Sequence, residues 1–249
     1  MNAAEAQTRV DLAACYRLMA RYGMTDLIYN HITACIPGTA HQELLINPFG
    51  FLYEEITASS LLKINLAGDV LDPGPTSLGL NRAGYVIHSA VHAARDDAVC
   101  VIHTHTEAGV AVSCMPQGLM PITQNALRFT GRIGYHEFEG PAIDEDERVR
   151  LVAALGTHNA LVLRNHGLLT VGRSIGEAFW LMQRLETACK IQVAALAAGP
   201  PHWPSEQAQQ RTSAVFDPRT GSEHVALNGA LEWQALLRQL DRTDQSYRD

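Results

Sequence analysis

Residues 100–109 read CVIHTHTEAG, an apolar β-rich run that carries His103 and His105 one residue apart and then turns to helical composition. Side chains two positions apart share one face of a strand but point to nearly opposite sides of a helix, so the secondary structure of this stretch decides its chemistry. As a strand it places both imidazoles on one face at its end, where they can hold a single cation while Thr104 turns away. Two hydrogen-bonded polar residues closing a strand are the plainer alternative.

The same alternation of strand and helix continues outward on both sides. Upstream, residues 81–95 have helical spacing, and LDPGPTS before them is a loop rich in turn residues. LIYNHITACIPG alternates Ile28, Asn30, Ile32, Ala34 and Ile36 against Leu27, Tyr29, His31, Thr33 and Cys35 and predicts a strand, with ELLINPFG as its neighbour. LKINLAGDVL reads as two strand pieces about a tight turn. Residues 5–22 set Leu12, Cys15, Tyr16, Met19 and Tyr22 on one helical stripe that Gly23 ends.

Downstream, GRIGYHEFEG reads as strand and loop, and DEDERVRLVAALG as a helix whose acidic start suits the macrodipole. NALVLRNHGLLTVG supplies two strand halves around Asn165, His166 and Gly167. Ser174 and Glu177 then form an S-x-x-E capping box, and Ala178, Leu181, Met182, Leu185, Ala188 and Cys189 stripe a long core helix that stops at Gly199 before two prolines. After Pro200 a mobile connection rich in Gln, Ser, Pro and Asp leads to LEWQALLRQL. Its Trp233, Leu236, Leu237 and Leu240 predict a helix docked on the parent domain or a sister subunit.

Composition narrows the function classes. A net charge of -7 without a basic run disfavours nucleic acid and anionic membrane surfaces, both of which need clustered Lys and Arg. No window approaches the roughly 20 apolar residues of a membrane helix, and the first residues lack the basic flank and apolar core of a signal peptide. Five singly scattered cysteines with no CxxC pair suit reduced thiols in a cytoplasmic location.

His166, followed by Gly167 where two strand halves meet, stands where the backbone can bend and present the ring. With His103 and His105 it completes the inventory of a catalytic zinc-type site, three protein ligands and an open position, whereas a closed structural site would add a fourth, usually Cys.

Taken together, VIHTHTEAG, LRNHG and the helix SIGEAFWLMQRLE resemble the class II aldolase/adducin family, and LIYNHITACIPG and NRAGYVIHSAVHAAR look especially like its adducin-type branch. The resemblance implies an α/β fold, a three-layer α/β/α sandwich with a mostly antiparallel central sheet, over residues 1–200, with 201–249 as a C-terminal extension. It implies that His103, His105 and His166 hold a divalent metal, and commonly a homotetramer with sites near subunit interfaces. Three imidazoles suit Zn2+ and also accept Mn2+, Fe2+ or Co2+.

The chain departs from the family's sugar-phosphate aldolases at two places. Their catalytic Glu falls at the register of Gly84 here, preceded by Arg82 and Ala83. Their phosphate-holding Thr-Gly turn corresponds to Phe49 and Gly50, exchanging a phosphate cradle for an aromatic wall, although Arg82 could still meet an anionic group. His88, one helical turn after Gly84, and His31, beside the pocket residue Asn30, are candidates to replace the lost acid/base group. Tyr247 is a further C-terminal candidate by analogy with relatives. Glu107 reads as a helix-start residue, and Arg95 and Asp96 as surface groups. These features predict a divalent-metal-dependent lyase acting on a small hydroxy-carbonyl or oxo-acid, a decarboxylase included, that is not a sugar phosphate. The alternative is an adducin-like binding module that keeps the metal site without turnover.

Overall fold

Asn2 opens the first helix by accepting a hydrogen bond from the Glu5 amide, and α1 (Ala3–Arg21) buries Leu12, Cys15, Tyr16 and Met19. The computed structural model describes residues 1–140, 145–217 and 229–249. Eight strands follow: β1 (His31–Cys35), β2 (Glu43–Ile46), β3 (Leu62–Asn65), β4 (Val70–Asp72), β5 (Cys100–Thr104), β6 (Ile133–His136), β7 (Ala160–Leu163) and β8 (Gly167–Gly172). They form one sheet in the order β4-β3-β2-β1-β5-β8-β7-β6. Every pairing is antiparallel except β6 with β7.

Helices cover both faces. Ile32, Ala34, Cys100, Ile102, Val162 and Leu168 pack toward α1, α3 (Glu107–Ser113) and the long α6 (Ile175–Ala198). Val101, Leu161, Leu163 and Leu169 pack toward α2 (Arg82–Ala94) and α5 (Glu145–Leu155). Strands covered on both faces lose the alternation of exposed and buried residues, which is why all five residues of β1 and of β5 are buried. The result is the three-layer α/β/α sandwich with a mostly antiparallel sheet. A short α4 (Gln124–Leu127), capped by Thr123, was not legible in sequence.

Three local readings need correction. The strand expected over residues 27–36 begins only at His31, because Leu27 takes a left-handed φ of 47° and Tyr29 closes a turn onto Asp26. The Ser174 hydroxyl caps the Glu177 amide at 3.1 Å as expected, but the Glu177 carboxylate reaches back to the Arg173 amide at 2.8 Å. The connection after Pro200 carries an unexpected helix, α7 (Glu206–Val215), started by a Ser205 cap; residues 218–228 lie outside the described residues, as do 141–144 with Asp144 of the expected acidic helix start.

The C-terminal part packs on this same molecule. Trp233 of α8 (Ala230–Asp241) sits over Gly176, where an added Cβ would lie 2.7 Å from its Cγ. The Ala58 amide donates to the Tyr247 carbonyl at 2.9 Å, and the Tyr247 hydroxyl donates to Asp241 at 2.6 Å.

Candidate metal centre

The sheet brings one end of several elements together. His31 on β1 stands directly opposite His103 on β5, and β8 runs antiparallel to β5 so that Leu168 pairs Thr104. The start of β1, the end of β5 and the start of β8 therefore meet at the same edge. His105 lies just past β5, and His166 is presented by the turn between β7 and β8.

Asn165 adopts φ 55°, a left-handed conformation that asparagine enters more readily than other non-glycine residues. Gly167 has no alternative side chain, because a Cβ there would lie 2.2 Å from the Thr104 carbonyl oxygen. Glycine after His166 is thus a steric requirement of setting β8 against β5.

The three Nε2 atoms converge: His103 to His105 at 2.8 Å, His105 to His166 at 3.0 Å and His103 to His166 at 3.3 Å. The tautomers decide what this means. His103 Nδ1 lies 2.9 Å from the Leu168 carbonyl and His105 Nδ1 lies 3.0 Å from the Asp26 carboxylate. Carbonyl and carboxylate oxygens only accept, so both Nδ1 atoms carry the proton and both Nε2 atoms present lone pairs. Two lone pairs 2.8 Å apart repel unless a cation lies between them. A tetrahedral ion with bonds of about 2.0–2.1 Å would set such N···N edges at about 3.3 Å, so the donor set fits one.

Burial, then the neighbouring imidazoles, hold His103 well below the ordinary histidine range, and the same two causes bring His166 down to about 4. Both stay neutral and able to donate electron pairs near neutral pH. Asp26 is a partner that sequence reasoning missed: no motif marks it, and it comes from the irregular turn that replaces the expected start of β1.

His31 lies against Gly84 at the start of α2. A Cβ on Gly84 would lie 2.4 Å from His31 Cε1, so glycine at 84 is what admits the ring, and His31 Nε2 donates to the Gly84 carbonyl at 2.9 Å. Its Nδ1 is buried without a partner. Burial above all brings His31 down to about 4. The ring lies 6.2 Å from that of His103 and 4.1 Å from that of His88. His88 is fully buried behind it, with Nδ1 2.8 Å from the Thr33 hydroxyl.

The expected pocket residues fall at the same edge with different exposures. Asn30 is buried with both amide atoms unpartnered, an arrangement that costs about 1–3 kcal/mol per group unless a ligand or water completes it. Phe49 is half-buried and tilted against Tyr29 at 6.4 Å, an aromatic pair next to Asn30. Gly50 is exposed with φ 113°, and Arg82 is exposed at the first turn of α2. Tyr247 anchors the tail through Asp241 and Ala58, Glu107 is an exposed first-turn residue of α3, and Arg95 pairs with Asp97 at 2.7 Å.

A mostly antiparallel α/β/α sandwich with three imidazole nitrogens gathered at the ends of its central strands places the chain among α/β proteins with a candidate metal centre. The chain belongs to the class II aldolase and adducin N-terminal domain family, whose model matches residues 10–193. It is 48% identical to a Pseudomonas aeruginosa protein provisionally named an aldolase class 2 protein, over 100% of this chain and 94% of that one. It is 44% identical to alpha-adducin of Rattus norvegicus over 96% of this chain but 34% of adducin. Among solved structures, an aldolase II superfamily protein from Pseudomonas syringae superposes with TM-score 0.93 at 45% identity, covering 100% of this chain and 98% of that one. L-fuculose 1-phosphate aldolase from Glaciozyma antarctica superposes with TM-score 0.83 at 29% identity, covering 98% and 93%.

Proposed function

We propose that this chain is a divalent-metal-dependent lyase of the class II aldolase type, acting on a small hydroxy-carbonyl or oxo-acid that is not a sugar phosphate. The convergence of the His103, His105 and His166 Nε2 atoms carries the reading. Zn2+ suits three imidazoles best, and Mn2+, Fe2+ and Co2+ are accepted by the same donors. When bound, such an ion supplies a Lewis acid that polarises a substrate oxygen.

The chain's own residues do the rest. Asp26 keeps His105 in the tautomer that presents Nε2. The unpartnered Asn30 amide orients a polar substrate group, and Tyr29 with Phe49 walls the site with aromatic surface where sugar-phosphate aldolases hold phosphate. His31, neutral and with a free Nδ1 lone pair, accepts a proton in place of the missing glutamate. Residues 1–200 form the catalytic domain and 201–249 the extension. We place the protein in the cytoplasm as a homo-oligomer, a tetramer by family, acting on a small molecule and not on nucleic acid or membrane; no helix among the described residues is long and apolar enough to cross a membrane.

The test is carbon-bond cleavage or exchange of a substrate C–H with deuterated water, measured on metal-loaded protein across a panel of hydroxy-carbonyl compounds and oxo-acids. Turnover of at least one panel member is expected, abolished by His166→Ala and lowered about 10²-fold to 10⁴-fold by His31→Asn. The second reading, an adducin-like module without turnover, draws on Gly84 and on the likeness to alpha-adducin. Metal-loaded, folded protein that turns over nothing on the panel would favour it.

A further inference from the structure

The stripe of polar side chains behind the metal centre does not stop at His31. Residues 31, 33 and 35 share the β1 face that looks onto α2, and residues 84, 88 and 92 share the α2 face that looks back. The stripe ends about 13 Å along the strand from His31 in a second group of donors. We propose that Cys35, His41 and His92 form a second metal site, distinct from the three-imidazole centre, that takes zinc or a similarly thiophilic cation.

The donors are already assembled. Cys35 Sγ lies 3.1 Å from His41 Nδ1 and 3.3 Å from His92 Nδ1, and all three ligand atoms fall within 4.8 Å of one another. The Ala98 carbonyl oxygen stands 2.8 Å from His92 Nδ1 and 3.5 Å from Cys35 Sγ, so it or a water can complete four donors. One thiolate with two imidazoles is a soft, nitrogen-rich set of the kind zinc accepts. Cys35 and His92 are 4% and 2% exposed, while His41 is half-exposed and gives an ion a way in from solvent.

The backbone is strained to present His41. Ala40 and His41 take φ 49° and 61° in succession, left-handed for two non-glycine residues in the β1–β2 turn. The His41 side chain makes its hydrogen-bonding contact with Cys35.

Binding would also reverse a chain of hydrogen bonds that runs from His92 to His88. The Thr33 hydroxyl lies 2.8 Å from His88 Nδ1 and 2.7 Å from His92 Nε2. Without an ion, His92 Nδ1–H donates to Ala98, Thr33 donates to His92, and His88 donates to Thr33. That order leaves lone pairs on both His88 Nε2 and His31 Nδ1, neither of which has a partner. An ion on His92 Nδ1 moves that proton to Nε2 and reverses the chain: His92 donates to Thr33, Thr33 donates to His88 Nδ1, and His88 carries its proton on Nε2. The number of protons in the chain is unchanged. The Cys35 thiol proton leaves to solvent as the S–metal bond forms, so one proton is released per ion bound.

Co2+ titration of the intact, metal-free protein separates the two sites, because only a cysteine ligand produces near-ultraviolet thiolate-to-cobalt charge-transfer absorption. The expected result is a second equivalent of bound Co2+ that carries this band. The band and that equivalent are lost together in Cys35→Ser and in His41→Ala, a half-exposed turn position whose variant is checked for unchanged circular dichroism; the band persists in Cys114→Ser and in His166→Ala. Retention in His166→Ala keeps this test independent of the proposed lyase function. Absence of the band at every Co2+ ratio, its survival in His41→Ala, or its dependence on the exposed Cys114 would overturn the proposal.

Discussion

At the scale of single residues, the site depends on places where a side chain is missing. Gly84 admits His31, and Gly84→Ala is expected to cost about 1–3 kcal/mol in chemical denaturation because its Cβ meets the ring at 2.4 Å. A His31→Ala/Gly84→Ala double variant should recover most of that loss, which a double-mutant cycle reads directly. Restoring glutamate at 84 alone is therefore expected to displace His31 and not to recreate a sugar-phosphate aldolase. Asp26→Asn removes the carboxylate behind His105, and a fall of about 10-fold to 100-fold in divalent-metal affinity is expected by competition with a chelator. The three imidazoles were marked by the strand and turn readings and, as a ligand set, by the likeness to the family's motifs, and Gly84 by the family's register alone. Asp26 was not, since it acts from an irregular turn, and neither was the ring of His31 occupying the glycine, which is a contact across two elements.

At the scale of elements, the reading of period-2 and period-3.6 patterns located nearly every strand and helix of the sandwich. It failed where backbone conformation overrode composition. The alternation in LIYN continued the pattern of β1, but a left-handed Leu27 turns the chain away before His31. The polar composition around residues 206–215 hid a helix that buries none of its residues and so has no apolar stripe to read. Gly167→Ala is the sharpest element-scale test, because the added carbon meets the Thr104 carbonyl at 2.2 Å and must push β8 away from β5. A loss of about 1–3 kcal/mol is expected, together with weakened metal binding as His166 moves. Trp233→Ala should cost about 3–5 kcal/mol by emptying the seat over Gly176, whereas an unchanged denaturation midpoint would show that α8 adds nothing to the fold.

At the scale of the whole molecule, the buried histidines make stability depend on acid. Burial holds His31, His92 and His166 at about 4, and His88 and His103 well below their ordinary range. Their folded values lie below the unfolded value of about 6.5, so the unfolded chain takes up protons first as pH falls. Stability is then full above about pH 6.5 and declines toward pH 4, by about 1.4 kcal/mol per pH unit for each proton taken up only on unfolding. Urea denaturation of metal-free protein from pH 7 to pH 4 should show that slope, and a flat profile would mean these rings are not held neutral by the fold. The central claim is that imidazoles from two separate segments enclose one cation at the sheet edge. Its most direct test is zinc titration of His41→Ala protein, which isolates that centre, with and without the added change His166→Ala. One equivalent bound in the first and lost in the second is the expected result; equal binding in both would contradict the account.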